Sequence, residues 1–212
     1  METQTAPHSQ PETKTETAKE RFIRKTRELF ATEANLDKRW NGLRPILAEL
    51  LADPDMIDAS KKWPDCVPAN GRAENLLFYE DPDYGFAING LTKGQARQGV
   101  AARIHDHAHI YTLYGVLDGR ERIVRYDRID DRSKANYAEI QESSNLLCGA
   151  GEIDLVKPYE IHTEMTVGER TVAVIIRSQK GGDFNQGRYN LETHEYFESL
   201  GPRQTPCEMM PK

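Results

Sequence analysis

The sequence lacks the features of secreted, membrane-spanning and nucleic-acid-binding proteins. Only three of its 212 residues are cysteines, and Cys66, Cys148 and Cys207 are spaced too widely for a disulfide framework or a CxxC metal pair. It has no apolar run of about 18 residues, and its start has neither the basic residues nor the apolar core of a secretory signal. A net charge of −6 does not suit a general nucleic-acid binder. We therefore expect a cytoplasmic protein with no membrane or nucleic-acid partner.

Histidine is also scarce, but it is concentrated in one place. The chain has six, and three of them fall within five residues, at His105, His107 and His109. Residues two apart on a strand point to the same face, so His105 and His107 present two imidazoles side by side, and Asp106 faces the other way. A third ligand has to come from another part of the chain, and His162, in a later strand region, is our candidate. We predict a metal site at His105, His107 and His162.

Composition divides the chain into four segments. Residues 1–20 have almost no apolar side chains and are predicted to be a disordered tail. Residues 21–72 have the apolar spacing of amphipathic helices and are predicted to pack on the main domain. Residues 73–200 form that domain. Residues 201–212 contain three prolines and are predicted to be a loose C-terminal tail.

The helical segment reads as three short helices. Phe22, Leu29 and Phe30 lie on one face of the first. A second begins near Leu36 and is expected to be short. Pro45 suits the first turn of a third helix, because proline has no N–H to donate and its φ already fits that position.

The main domain is predicted to be mainly β. Runs of β-branched and aromatic residues alternate with turn signals about every ten residues. The predicted strand regions are Leu76–Tyr79, Gly85–Asn89, Val100–Ile104, Ile110–Leu117, Arg122–Tyr126, Ile153–Val156 and Thr171–Ile176. The dipeptide Asp118-Gly119 between two such runs predicts a β-hairpin. Many short strands without a long helix between them indicate an antiparallel sandwich or barrel.

The histidine spacing resembles a known family. Gly99-Val-Ala-Ala-Arg-Ile-His105-Asp-His107, followed by Gly119, is similar to the first motif of the cupin superfamily, and His162 resembles the histidine of its second motif. Within the superfamily, Ile104-His-Asp-His107 and Tyr114-Gly-Val-Leu-Asp-Gly119 are most similar to the cysteine dioxygenase-like, or thiol dioxygenase, branch. The resemblance covers roughly residues 75–180. It implies a double-stranded β-helix, or jelly-roll, barrel with N-terminal helices in front of it.

The resemblance also implies a cofactor and a reaction. In that branch three histidines bind Fe(II), and the enzyme uses O2 to oxidise a small thiol to a sulfinate. We therefore expect Fe(II) at the three histidines, O2 as co-substrate, and a small anionic substrate such as cysteine or a mercapto acid. Ligand type alone leaves Zn, Ni, Mn and Cu open. By analogy with cupins, a homodimer is also expected.

Two departures from the branch keep other functions open. Thr112 stands where many cupins have a glutamate ligand and where eukaryotic-type cysteine dioxygenases have a cross-linked cysteine. The strand after the third ligand reads Ala173-Val-Ile-Ile-Arg-Ser178, without the histidine and tyrosine of the Ser-x-His-x-Tyr relay. The alternatives are a three-histidine oxygenase that cleaves or hydroxylates carbon, and a non-redox cupin that acts as a lyase or isomerase or only binds a ligand.

Several polar residues are candidates for binding and catalysis. An anionic substrate needs a cation near the metal, and Arg177, Arg103 and Arg188 are our candidates, with Arg177 preferred. Tyr114 and Thr112 are further substrate-binding candidates, although tyrosines in barrel strands more often serve packing. The catalytic candidates are Tyr111, Glu164 and His109.

Overall fold

The structure is a computed structural model that describes residues 16–95 and 98–210. Three helices come first, α1 (Ala18–Thr32), α2 (Leu36–Leu51) and α3 (Pro54–Ser60). None of the helices in these two ranges has the length and apolar character needed to cross a membrane. Most of the predicted N-terminal tail, residues 1–15, lies outside the described residues.

The first helix begins earlier than we expected from composition. Ala18 is its first residue, although the predicted tail extends to residue 20. Thr17 and Glu20 form a capping box, in which the Glu20 N–H donates to Thr17 Oγ1 and the Thr17 N–H donates to the Glu20 carboxylate. These two bonds satisfy backbone donors that a helix start otherwise leaves unpaired, so they fix its beginning at this point.

The predicted helix start at Pro45 is wrong. Pro45 lies inside α2, which runs without a break from Leu36 to Leu51. The proline removes one backbone hydrogen bond, but buried side chains on both sides of it, including Leu43 and Leu47, hold the helix against the sheet. The proline that begins the third helix is Pro54.

Within the two described ranges, twelve strands follow the helices and form two sheets of six strands each. The strands are β1 (Glu74–Glu80), β2 (Ala87–Lys93), β3 (Ile104–His105), β4 (Thr112–Asp118), β5 (Arg120–Arg128), β6 (Ile140–Gly149), β7 (Ile153–Val156), β8 (Ile161–Thr166), β9 (Thr171–Arg177), β10 (Asn185–Tyr189), β11 (Tyr196–Leu200) and β12 (Arg203–Pro206). The first sheet has the order β12-β1-β2-β9-β4-β7 and the second sheet the order β11-β10-β3-β8-β5-β6. The pairings are antiparallel except for β1 with β12. The predicted fold class is confirmed: a mainly β, double-stranded β-helix barrel with N-terminal helices.

The hydrophobic core lies between the helices and the outer face of the first sheet. Strand β4 shows how the sequence separates the two faces of this sheet. Leu113 and Gly115 face the helices, and a Cβ on Gly115 would lie 2.7 Å from a Leu51 methyl carbon, so a larger residue there would displace the Leu51 side chain of α2. Thr112 and Tyr114 alternate with them and face the barrel interior. Packing against α2 therefore fixes which residues of β4 face the interior.

The hairpin predicted at Asp118-Gly119 is wrong. Strands β4 and β5 flank this dipeptide, but β4 pairs with β7 and β9, whereas β5 pairs with β6 and β8. The turn is therefore a corner at which the chain passes from the first sheet to the second. Gly119 has φ 79°, and a Cβ there would lie 2.0 Å from the carbonyl oxygen of Arg170.

We expect Gly119→Ala to lower the free energy of unfolding by at least about 2 kcal/mol. A left-handed alanine costs roughly 1–2 kcal/mol, and the overlap with a backbone oxygen adds to it. Gly151→Ala is the matched control, because Gly151 has φ 85° but no heavy atom within 4 Å of the position that a Cβ would take. It should lose only the conformational part, roughly 1–2 kcal/mol. Urea unfolding of both variants measures the difference, and equal losses would contradict the corner contact.

The C-terminal segment differs from the loose tail that its prolines predicted. Strand β12 pairs in parallel with β1 at the edge of the first sheet. Beyond it, Met209 is fully buried, and its carbonyl oxygen accepts a 2.9 Å hydrogen bond from the Trp63 indole. This burial attaches the described part of the segment, through residue 210, to the helical layer.

Candidate active site

The structure brings His105, His107 and His162 together. One nitrogen from each ring lies within 4.8 Å of the other two, and the Nε2 atoms of His105 and His107 are 3.2 Å apart. His105 and His162 are direct partners in the β3–β8 ladder, so pairing of two distant strands places their side chains next to each other. The third histidine of the local cluster, His109, does not belong to this group.

His107 reaches the group from a turn, although the sequence suggested a strand. Strand β3 ends at His105, and the chain turns at Ala108, where φ is 51°. The buried Asp106 fixes this turn, because its carboxylate accepts hydrogen bonds from the backbone N–H groups of Ala108 (2.8 Å) and Gly187 (3.0 Å) and from a tyrosine hydroxyl. Asp106 therefore positions the two histidines that flank it.

The donor set fits a metal ion. His105 Nδ1 is 2.8 Å from the carbonyl oxygen of Arg103, and His162 Nδ1 is 3.3 Å from that of Glu160. Both Nδ1 atoms must carry the proton to make these bonds, which leaves the Nε2 lone pairs free to bind a cation. The tautomer of His107 is not fixed in the same way: its Nε2 lies 3.2 Å from His105 Nε2, where either a proton on His107 or a bound cation would satisfy the His105 lone pair.

Burial keeps two of these imidazoles neutral. It lowers the pKa of His105 to about 3, with a further contribution from neighbouring His162. Burial also lowers the pKa of His107 well below its ordinary value. At neutral pH these two rings are therefore neutral imidazoles, each with one unprotonated nitrogen that can bind a metal without first losing a proton.

The histidines lie in the wall of a cavity of about 300 Å³ between the two sheets. The first sheet contributes polar residues from β1, β2, β4 and β9, and the second sheet contributes the histidines and residues of β8 and β10. Its polar lining includes Asn75, Lys93, Arg103, Thr112, Tyr114, Glu164, Arg177, Gln186 and Arg188. A cavity of this size suits a small molecule at the low end of the usual range.

One side of the cavity carries a buried chain of ionisable groups. The Lys93 ammonium bonds the Glu121 carboxylate and lies 3.7 Å from that of Glu164, and the Tyr114 hydroxyl donates to Glu121. Glu164 Oε2 is 3.9 Å from His162 Nε2, so the chain extends to the histidines. Burial raises the pKa of Glu164, but the positive charges around it, Lys93 first, outweigh burial and lower it to about 2. Glu164 is therefore a carboxylate beside the histidines.

Cations line another part of the cavity. The Arg177 side chain is 4% exposed and donates to the side-chain oxygens of Asn89 (2.8 Å) and Asn75 (3.1 Å). Among the described residues no carboxylate lies within ion-pair distance of it. Burial lowers its pKa to about 10, which still leaves the guanidinium charged at neutral pH. Arg188 faces His105 across the β3–β10 ladder, and Arg103 is exposed at the cavity edge.

Two of the predicted catalytic residues lie outside this cavity. The Tyr111 ring stacks on Trp40 at 5.7 Å, and its hydroxyl donates to Asp37 in α2. His109 Nε2 lies 3.0 Å from the Gln179 side-chain oxygen, and its ring packs on Phe184. The structure thus brings Glu164 to the histidines but does not bring Tyr111 or His109 to them.

Sequence reasoning did not identify Lys93, Glu121 or Gln186. The sequence contains one weak indication for Lys93. It lies at the end of an apolar run, two residues after Leu91, so both side chains point to the same face of the strand, and Leu91 also lines the cavity. Glu121 is fully buried directly after the Gly119 corner, where its neighbours in sequence are arginines and suggest a solvated face. No sequence signal pairs it with Lys93.

No protein-family model matches the chain, and no curated protein matches it. Among solved structures, it is similar to the cupin domain of Cnp3 from Schizosaccharomyces pombe (9% identity, TM-score 0.37, 50% of this chain and 64% of that one). It is also similar to a recombinant oxalate oxidase in complex with glycolate (17% identity, TM-score 0.35, 45% of this chain and 42% of that one). A third similar structure is a hydroquinone 1,2-dioxygenase in complex with Cd²⁺ and 4-hydroxybenzonitrile (11% identity, TM-score 0.39, 72% of this chain and 75% of that one).

These neighbours include a cupin domain, an oxidase and a dioxygenase. The chain spans only 64% and 42% of the length of the first two. Identities and TM-scores this low transfer no substrate to this chain.

Proposed function

We propose that the protein is a non-haem Fe(II) dioxygenase that activates O2 against a small anionic substrate. The observation that carries the proposal is the shared cavity. Three histidines whose free ring nitrogens converge and a buried guanidinium without a carboxylate partner among the described residues line the same space of about 300 Å³. A metal and an anion are the two groups that this lining would bind.

His105, His107 and His162 would hold the metal. Three neutral imidazoles would leave the metal its full +2 charge, and a metal held by them would supply binding positions for a chelating substrate and O2. The remaining tasks, substrate orientation and exclusion of water, would fall to the protein's own residues. The guanidinium of Arg177 orients the anionic end of the substrate, and the two sheets exclude water. The Lys93 ammonium keeps Glu164 ionised beside the histidines.

We take a thiol as the first substrate to test, because the sequence resembles the thiol dioxygenase branch. The overall reaction is balanced without a further reductant, since both atoms of O2 enter the product: RSH + O2 gives RSO2H. A mercapto acid or cysteine combines a sulfur that can bind a metal with a carboxylate that a buried arginine can hold. Both groups fit within one small cavity.

A specific observation supports a second candidate, an oxygenase that acts on carbon. In thiol dioxygenases the Ser-x-His-x-Tyr relay lies on the strand after the third ligand. The strand in that position here is β9, and it presents Ile175 and Arg177 to the cavity instead. The ionisable groups that this chain offers, Lys93 and Tyr114, come from β2 and β4. A different arrangement of proton-carrying groups is consistent with a chelating hydroxy acid, diketone or catechol as substrate.

The test combines metal analysis with O2 uptake. We expect protein purified from its native host to contain about one iron per chain. The Fe(II)-loaded protein should consume O2 well above background with cysteine or 3-mercaptopropionate. Uptake only with a hydroxy acid, diketone or catechol would favour the carbon oxygenase. Native zinc with no O2 consumption on either panel would overturn both and support a non-redox cupin.

A further inference from the structure

We infer that the cavity contains a carboxylate-binding subsite formed by Arg177, Thr112 and Gln186. The inference rests on the proposed function only in placing the substrate in this cavity. It adds two residues, Thr112 and Gln186, that would bind the carboxylate together with Arg177.

Arg177 supplies the charge of the subsite. One N–H of each terminal nitrogen bonds a neutral oxygen, that of Asn89 or Asn75, and no carboxylate among the described residues lies within ion-pair distance, although the Glu164 carboxylate acts on the guanidinium from farther away. Its Nε–H is buried and has no acceptor there. Burying a charge without a partner is costly, and proteins keep such a charge where a ligand supplies the counter-charge.

Thr112 lies directly beside Arg177. The two residues are Cα partners in the β4–β9 ladder, so their side chains project from the same face of the sheet. The Thr112 side chain is 1% exposed, and its hydroxyl has no hydrogen-bond partner among residues 16–95 and 98–210. Two buried donors without acceptors are therefore adjacent in the cavity wall.

Gln186 contributes a third donor from the facing sheet. Its Oε1 accepts a hydrogen bond from the Arg188 guanidinium at 3.3 Å. A guanidinium can only donate, so the amide orientation is fixed, and the NH₂ group points away from Arg188. That Nε2 is buried and also has no acceptor within the described chain.

These three side chains have complementary chemistry. All offer donors, one carries a positive charge, and all line the same cavity as the histidines. A carboxylate accepts several hydrogen bonds through two oxygens, and the Arg177 guanidinium can balance its single negative charge. A phosphate dianion would bring a second negative charge beside Glu164, and the half-buried guanidinium of Arg188 already bonds Gln186, Ser199 and the Leu200 carbonyl oxygen. The subsite therefore fits a monocarboxylate whose other end reaches the metal.

The test is a matched pair of ligands on metal-free protein. We expect isothermal titration calorimetry to show 3-mercaptopropionate binding about 10- to 100-fold more tightly than 3-mercaptopropionamide, the range for one hydrogen-bonded charge. Arg177→Met should abolish this preference. Arg122→Met is the control, since the Arg122 guanidinium bonds Asn145 on the exposed outer side of β5, and it should keep the preference.

Thr112→Val keeps the test decisive if Arg177→Met fails to fold. Valine has the shape and branching of threonine, so the folded variant should bind the carboxylate about 3- to 10-fold more weakly, a loss within the range for one hydrogen bond. It should lose less affinity for the amide, because the amide oxygen accepts only a weaker, neutral hydrogen bond. Equal affinities of the two ligands for the wild type, tighter binding of phosphate than of the carboxylate, or no effect of Thr112→Val would overturn the subsite. Absence of O2 uptake alone would overturn the proposed function and leave this binding result standing.

Discussion

Replacing His162 by alanine should remove metal and activity together. A site of four ligands binds zinc with roughly 10–16 kcal/mol, so one ligand accounts for about 2.5–4 kcal/mol. We therefore expect His162→Ala to bind Zn²⁺ roughly 100- to 1,000-fold more weakly in competition with a chromophoric chelator. O2 uptake by the iron-loaded protein should fall to background. The effect is large because His162 reaches the group from β8, and no other described histidine can replace it from that strand.

The matched control for this experiment is His109→Ala. His109 lies in the same sequence cluster, but its ring is held by Gln179 and Phe184 outside the cavity. We expect this variant to bind Zn²⁺ with the affinity of the wild type. Full activity in His162→Ala would contradict the assignment of His105, His107 and His162 as the metal ligands. Metal loss in His109→Ala would show that His109, and not His162, supplies the third ligand.

The histidine group could be predicted because each of its two parts, the His105–His107 pair and His162, has a signal in its own stretch of sequence. His105 and His107 lie two residues apart, and either a strand or the observed turn projects both into the same space. His162 could be added because it follows a turn at the start of another strand. The mainly β fold was predictable for a similar reason, since period-two patterning records which strand face is buried.

Local signals failed where distant contacts decide the outcome. Pro45 is a helix-start signal in isolation, but burial of one face of α2 against the sheet overrides it. Asp118-Gly119 is a hairpin signal in isolation, but β5 finds its partners in the second sheet. In both cases the local preference was correctly identified, and tertiary packing selected another structure.

The polar lining of the cavity was the least predictable part. Lys93 and Glu121 are 28 residues apart and meet only because β2 and the start of β5 approach across the barrel end. Gln186 enters from β10, which no periodic pattern indicated. Contacts between side chains of distant strands depend on how the barrel closes in three dimensions. No residue spacing within a single sequence indicates which of these side chains meet.

Replacing Lys93 by methionine should destabilise the protein by about 3–5 kcal/mol, because it leaves a buried carboxylate without its counter-charge. The Glu121 side chain is 0% exposed, and besides the Lys93 ammonium it bonds the Tyr114 hydroxyl. Burial already raises the pKa of Glu121 against the opposing effect of Lys93. Without the lysine this pKa rises further. A raised carboxyl pKa gives stability that is present at low pH and lost as pH rises, so the defect should be smaller at pH 5 than at pH 8.

The double variant Lys93→Met/Glu121→Gln separates the charge effect from loss of packing. It removes both charges and leaves an amide at position 121 to bond Tyr114, so we expect it to recover at least about 2 kcal/mol of the loss in urea unfolding. Lys61→Met is the control, since the exposed Lys61–Asp58 pair should contribute less than about 1 kcal/mol. If the double variant is no more stable than Lys93→Met and the defect does not change between pH 5 and pH 8, Lys93 acts through packing alone. Recovery with a reduced pH dependence would establish the buried ion pair as the element that holds this end of the cavity together.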